Sequence, residues 1–180
     1  MKLLKHISIA ILMICANVSC TSNDDANTEG INVVKVGDNV YNVNSVIIEP
    51  SFNRTFLQLT NKTEVEVMGA INQGQALNNF DVLNITINDD PLGELSYNFN
   101  SILNYEFLID ASLEAGDLEG GETLLESGDN HFEATSGSIS ITYYSVDRIE
   151  FSFEFERNDG TLISGGYKGS YIYLDDRAES

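Results

Sequence analysis

The sequence predicts an all-β domain, which is a single antiparallel β-sandwich or flattened β-barrel of about ten strands joined mostly by hairpins. One observation behind this prediction is the alternation of apolar and polar residues in several segments, which a strand places on opposite faces. A second is the recurrence of turn signals, such as Asn-Asp-Gly at 158–160. The third is the scarcity of helical periodicity in the rest of the chain.

The strongest strand pattern covers residues 149–155, and the other strands are expected to be arranged around it. Burying four large apolar side chains contributes about 6–12 kcal/mol as an upper bound. We therefore expect this strand in the middle of a sheet, with Glu150 and Glu154 in water. The residues expected to face the core are Ile149, Phe151, Phe153 and Phe155.

The first part of the domain has the pattern of two hairpins followed by a loop. Polar and turn-forming residues predict the loop at 72–81. The two strand pairs are 31–36 with 39–49, across Gly-Asp at 37–38, and 55–60 with 63–70, across Asn-Lys at 61–62.

The middle of the domain continues the period of two. Residues 82–88 alternate, the turn residues at 89–93 follow, and a returning strand at 95–99 is expected to pair with the first. A bend or single helical turn at 102–103 leads into another alternating segment at 105–113. The Gly-rich, acidic residues 116–130 predict an irregular segment, with a short helix over 122–126.

The C-terminal part predicts three strands connected in sequence. They cover residues 137–144, 148–157 and 161–174. Glycines in a strand mark bulges or sharp coiling, and Gly165, Gly166 and Gly169 lie in the last of the three. We expect this coiling to bring the last strand against the first.

The N-terminus has the pattern of an exported lipoprotein. A basic start precedes an apolar run at 7–16, which is too short to span a bilayer, and Val18-Ser19-Cys20 resembles the end of a bacterial lipobox. The alternative is an ordinary secretory signal cut near Ser19, which would leave Cys20 as a free thiol. The expected segments are a lipoprotein signal peptide at 1–19, a flexible acidic tether at 20–30, the β domain at 31–176 and a tail at 177–180.

Five motifs occur together in this chain. They are the polar, acidic residues 21–25 behind Cys20, Val-Gly-Asp-Asn-Val-Tyr at 36–41, Gly-Ser-Ile-Ser-Ile-Thr at 137–142, the strand at 149–155 and the Gly-containing strand at 164–171. Together these motifs resemble the small all-β surface lipoproteins of unknown function that are common in Bacteroidetes-type genomes. The resemblance implies a protein held in the outer membrane by acyl chains, such as palmitate, on Cys20, and facing the cell exterior. It implies no catalytic residue.

Charge and cysteine content exclude several functions. Without the leader, the chain has seven basic and 28 acidic residues, a net charge of −21, and no basic stripe with which to bind nucleic acid. Cys15 would be removed with the leader and Cys20 acylated, which leaves no thiol for a disulfide or a thiolate metal site. His131 would be the one remaining histidine, so a histidine-cluster metal site is excluded as well.

We therefore expect a non-enzymatic domain that binds a ligand, such as a glycan or protein at the cell surface, or has a structural role. Tyr144, Tyr167 and Tyr171 are candidates for a ligand-stacking platform, although packing in the core is the stronger interpretation of tyrosines in strands.

Three alternatives remain open. One is a carbohydrate-active hydrolase that uses paired carboxylates, with candidates among Glu150, Glu154 and Glu156. Another is a lipocalin-like carrier of a small apolar ligand, which would need a large cavity inside a barrel. The third is calcium binding: no other cofactor is expected, but acidic turns offer oxygen ligands for calcium. The candidate calcium ligands are Asp89, Asp90, Glu94, Asp117, Glu119, Glu122 and Asp129.

Overall fold

A computed structural model describes residues 31–114 and 117–175, and its architecture is a sandwich of two β-sheets. The two sheets do not close into a barrel, so the structure confirms the sandwich and not the flattened barrel. The predicted signal peptide, Cys20, the acidic tether at 20–30 and the tail at 177–180 lie outside the described residues.

The described part of the chain forms thirteen strands, one α-helix and one short 3-10 helix, which follows β6 at Phe99–Ser101. In chain order the other elements are β1 (Val33–Val36), β2 (Asn39–Asn42), β3 (Ser45–Ser51), β4 (Arg54–Thr60), α1 (Glu64–Gln73), β5 (Leu77–Ile87), β6 (Ser96–Asn98), β7 (Ile102–Glu114), β8 (Asp117–Glu119), β9 (Glu122–Glu126), β10 (Ala134–Tyr144), β11 (Ile149–Arg157), β12 (Leu162–Gly169) and β13 (Ile172–Tyr173).

The first sheet has six strands in the order β2-β1-β12-β11-β10-β6, with β11 in its interior as predicted. The four apolar residues of β11 are buried, and Glu154 is exposed, so the predicted register is confirmed. The predicted turn after β11 is also present: the Arg157 N–H donates to the Thr161 carbonyl at 2.9 Å. The first part of the predicted last strand meets the first strand, since β12 pairs with β1.

The second sheet has the order β13-β3-β4-β5-β7-β8, and β9 pairs with the other end of β7. Its pairs are antiparallel except for β13, which runs parallel to β3. The inner faces of the two sheets share one hydrophobic core, in which Phe107 and Phe155 are the largest fully buried side chains. This core fills the space between the sheets.

Two predicted strands are wrong because each is divided between the sheets. The segment at 39–49 becomes β2 in the first sheet and β3 in the second, and the segment at 161–174 becomes β12 and β13 in the same way. At the first crossing, the Asn44 N–H bonds the Thr60 carbonyl at 2.8 Å, which starts the pairing with β4. A chain that leaves one sheet for the other must break its ladder of hydrogen bonds, and a predicted period of two does not show where that break occurs.

The predicted strand at 63–70 is also wrong, because these residues start α1. Thr63 is the N-cap of a capping box: its side chain accepts from the Glu66 N–H, and the Glu66 carboxylate accepts from the Thr63 N–H at 2.9 Å. Gly74 ends the helix in the left-handed conformation, with φ of 63°. Because of these caps, residues 63–70 begin a helix and do not form the expected hairpin with β4.

Two segments predicted to be irregular contain strands. β5 already begins at Leu77, within the predicted loop at 72–81, and register shifts against β7 obscure its alternation. The helix expected over 122–126 is instead β9, whose Leu125 is fully buried opposite Phe107. The returning strand at 95–99 contains β6, which pairs with β10 rather than with residues 82–88.

Candidate functional site

A pocket of about 480 Å³ lies between α1 and the outer face of the second sheet, and we call it the α1 pocket. The helix contributes Val67, Ala70 and Ile71 to its wall. The remaining apolar lining is Ile47, Leu77, Phe80, Val82, Leu113, Leu118 and Leu174, and the polar lining is Glu49, Gln58, Gln75 and Asn84.

Two small apolar clusters hold α1 against the sheet on either side of this pocket. Val67 packs with Ile47 of β3 and Ile172 of β13, and all three side chains are buried. On the other side, Ala70 packs against a cluster that includes Phe80 and Val82 of β5. Both clusters are separate from the core between the sheets. The pocket is therefore a second apolar interior, formed outside the sandwich.

The capping box fixes where α1 begins and so where its apolar side chains point. The hydrogen bonds from the side chain and backbone of Thr63 hold the pKa of the Glu66 carboxyl below its usual range. The Gly74 N–H donates to the Ala70 carbonyl at 3.0 Å at the other end. Val67 is buried as a result, whereas Val65, two positions earlier, is 82% exposed.

Partly exposed apolar side chains line the open side of the pocket. Ile71 is 47% exposed and Leu118 is 39% exposed, although both contribute to the lining. Most aliphatic side chains of the described chain are buried. Ile71 and Leu118 thus present apolar surface both to solvent and to the pocket.

A more polar recess of about 220 Å³ adjoins the pocket along the sheet, and we call it the amide recess. Gln58 and Asn84 line both spaces and are partners in the β4–β5 ladder. The amide recess also contains Phe56, Asn104 and Glu106, and the Asn84 side-chain amide donates to Glu106 Oε2 at 3.5 Å. The two spaces adjoin at Gln58 and Asn84, and we call them together the groove, with the α1 pocket as its apolar end and the amide recess as its polar end.

A second concave surface covers the outer face of the first sheet and has a volume of about 530 Å³. Its floor consists of small hydroxyl side chains, including Ser140 and Ser152, which are partners in the β10–β11 ladder. Glu150, a predicted carboxylate of the hydrolase alternative, forms an ion pair with Lys168 at 3.1 Å on this face. Glu154 and Glu156 share this solvated face of β11.

The structure brings together two of the three tyrosines predicted for ligand stacking. Tyr144 and Tyr171 stack at a centroid distance of 5.8 Å, and the Tyr171 hydroxyl donates to the Ser145 carbonyl at 2.8 Å. Burial, with a contribution from the Tyr171 hydroxyl, raises the pKa of Tyr144 well above its usual value. Tyr167 lies against Phe151 and is only 6% exposed. All three rings pack within the protein, and ligand stacking stays a prediction.

The acidic residues considered for calcium do not come together. Within residues 31–114 and 117–175, no group of three or more acidic or histidine side chains could hold a metal ion. Asp89 Oδ2 instead accepts from the Tyr97 hydroxyl at 2.9 Å, and Glu94 Oε1 accepts from the Tyr144 N–H at 2.9 Å. These carboxylates stabilise turns and strand ends.

Comparisons with protein-family models, with curated proteins and with solved structures find no match to this chain. Among the described residues, no helix is both long enough and apolar enough to cross a membrane. The geometry of the groove is therefore the observation that bears on function.

Sequence reasoning missed the α1 pocket because it predicted a strand at 63–70, where the chain forms α1. The signal that could have found the helix was Thr63 followed by Glu66, with Gly74 beyond the last turn. An amphipathic helix beside a sheet whose outer face carries Ile47, Phe80 and Val82 would have indicated an apolar space between them.

Proposed function

We propose that this protein is a lipid-anchored protein of the outer membrane, facing the cell exterior, whose β domain binds a small, largely apolar ligand without catalysis. The observation that carries the binding function is the α1 pocket, which is lined mainly by aliphatic side chains and open at Ile71 and Leu118. Its volume of about 480 Å³ lies within the range of small-molecule sites, roughly 300–1,000 Å³.

The position of the pocket favours a binding protein that is built differently from a lipocalin. A lipocalin-like carrier would hold its ligand inside the barrel, whereas here the space between the sheets is filled by the main core. The apolar volume lies outside that core, under a single helix of ten residues. Ligand entry from the open side at Ile71 and Leu118 would then leave the sandwich intact.

The carboxylates favour binding over glycoside hydrolysis. A hydrolase of this kind needs a carboxylic acid whose pKa is raised near the scissile bond. Two carboxyl groups of the described chain have clearly shifted pKa values, and both are lowered: Glu66 by its bonds with Thr63, and Asp159 by the Arg157 guanidinium and the Thr161 N–H. Both groups have structural partners in a helix cap and a hairpin turn.

We expect Ile71→Glu to weaken the binding of an apolar probe by at least about tenfold, because a carboxylate in the pocket wall would be desolvated by the ligand. Binding of N-phenylnaphthylamine, followed by its fluorescence, measures this in the full-length, unacylated Cys20→Ala chain. Val65→Glu is the matched control, since Val65 lies on the same helix, is 82% exposed and does not line the pocket. Equal weakening by both variants, or no binding to the parent chain, would contradict the proposal.

The anchoring half of the proposal depends on Cys20 and the leader before it. We expect Cys20→Ala to abolish acylation and to remove the protein from the outer-membrane fraction, because several acyl chains on one cysteine provide the stable attachment. Metabolic labelling with an alkyne fatty acid and membrane fractionation measure the two effects. Cys15→Ala, within the expected signal peptide, is the control and should leave both unchanged. Wild-type fractionation of the Cys20→Ala variant would refute the lipid anchor.

A further inference from the structure

We infer that the ligand of the α1 pocket is an amphiphile with one apolar chain and an uncharged or cationic head, and that the site discriminates against anionic heads. This inference rests on the proposed binding function and names the chemical class of the ligand. It follows from the order of side chains along the groove and from the charges at its polar end.

A single row of side chains crosses the outer face of the second sheet and changes in polarity from one end to the other. Neighbouring members are partners in successive strand pairs, so they lie about 5 Å apart. The row begins with two buried isoleucines, continues with two amides and ends with two carboxylates. Its members are Ile172, Ile47, Gln58, Asn84, Glu106 and Glu126.

The apolar end of the row coincides with the α1 pocket, and the amides mark its boundary with the amide recess. Ile47 is 5% exposed beneath α1, while Gln58 and Asn84 line both spaces. A purely apolar ligand that filled the whole groove would cover these amides and leave their hydrogen-bonding groups unpaired, which is unfavourable. A ligand with a polar head at this boundary satisfies the amides and keeps its chain in the pocket.

The amide recess offers hydrogen bonds in both directions but only negative charge. Side-chain amides such as Asn84 and Asn104 donate and accept, and the Glu106 carboxylate accepts only. Glu106 lies opposite Glu126 in the β7–β9 ladder, so two carboxylates stand together at this end. The described residues that line the two spaces include no lysine or arginine.

These charges decide which heads can bind. A hydroxyl-rich head can donate to Glu106 and exchange hydrogen bonds with the amides, and a cationic head gains an opposite charge. An anionic head would lie beside Glu106 in a groove that screens charge less well than water does. The net charge of −19 for the whole chain acts in the same direction over a longer range.

The test is a set of amphiphiles that share a decyl chain and differ in the head: decyl glucoside, decyltrimethylammonium and decyl sulfate. Isothermal titration calorimetry of the full-length Cys20→Ala chain, below the micelle concentration of each compound, gives the affinities. We expect decyl sulfate to bind at least about tenfold more weakly than the other two. Glu106→Gln should reduce the ratio between the affinities of the other two compounds and that of decyl sulfate about fivefold. Glu154→Gln, on the outer face of the other sheet, should leave it unchanged.

The outcomes separate this inference from the function on which it rests. If the three compounds bind with equal affinity, or if decyl sulfate binds most tightly, the head-group specificity is wrong and the pocket remains a binding site. If none of the three binds, both the proposed function and the inference fail. An equal effect of Glu106→Gln and Glu154→Gln would show that only the overall charge matters, and would overturn the role given to the amide recess.

Discussion

The Phe153→Ala variant is expected to lose about 3–5 kcal/mol of unfolding free energy, which is the range for removing a large aromatic side chain from a packed core. Phe153 lies at the centre of β11, is 4% exposed and belongs to the core between the sheets. Its ring packs against Phe155 at a centroid distance of 6.1 Å. Close-packed neighbours on both sheets would collapse only partly into the space that it leaves.

The adjacent Glu154→Ala variant is the control, because it changes the opposite face of the same strand. Glu154 is exposed, and its removal should change the unfolding free energy by no more than about 0.5 kcal/mol. Chemical denaturation of the two variants and the wild type measures both values. A larger loss for Glu154→Ala than for Phe153→Ala would mean that the faces of β11 are exchanged, since a shift of one residue reverses them.

The sequence was sufficient to predict strands whose pattern is local and whose two faces meet different surroundings. In β11 the apolar residues face the core and the glutamates face water, so the alternation records the burial directly. The turn at 158–160 is equally local, because Asp159 accepts from the Thr161 N–H and bonds the Arg157 guanidinium within the turn itself. Local chemistry of this kind determines an element without reference to the rest of the fold.

The helix was missed because a short apolar alternation is compatible with two structures. Val65 and Val67 would share one face of a strand, but in a helix two residues span about 200° and point to opposite sides. Their exposures, 82% and 4%, match the helix. Thr63 and Glu66 decide between the two, since their reciprocal hydrogen bonds form only when the backbone turns at Thr63.

The division of strands between the sheets depends on contacts that no local pattern contains. β3 and β13 are far apart in the chain, yet they pair in parallel, with Ile47 opposite Ile172. β6 similarly pairs with β10 rather than with its neighbour in sequence. A period of two indicates that a segment is extended and half-buried, but it does not indicate which sheet contains the segment.

The candidate site could not be predicted because it belongs to no single segment. Its walls come from β3, β4, β5, β7, β8, α1 and the C-terminal end of the described chain, and most of its apolar residues have the pattern of ordinary core residues in their own elements. Ile47 and Val82 form the floor of a pocket only because α1 lies over the sheet. The predicted tyrosines show the opposite error: Tyr167 was a candidate site residue, but its ring packs against Phe151 in the core.

Gly165 is a position where the pairing of β12 with β1 is sensitive to a larger side chain. No register shift interrupts β12 against β11 or β1, so the bulge expected from its glycines is absent there, and close packing explains Gly165 instead. A methyl group at this position would overlap the Val33 carbonyl oxygen and lie 2.9 Å from Cζ of Phe153. The absence of a side chain lets β1 and the aromatic face of β11 both approach β12.

We expect Gly165→Ala to lower the unfolding free energy by about 3 kcal/mol, at the upper end of the range for overpacked sites, because the obstacle includes backbone that cannot rotate away. Ser164→Ala is the matched control on the same strand, since Ser164 faces the hydroxyl-lined outer surface and should change stability by no more than about 0.5 kcal/mol. Chemical denaturation measures the loss, and hydrogen exchange of the β1 amides locates it. If Gly165→Ala is as stable as Ser164→Ala and β1 stays protected, the close approach of β1 to β12 at Gly165 is wrong.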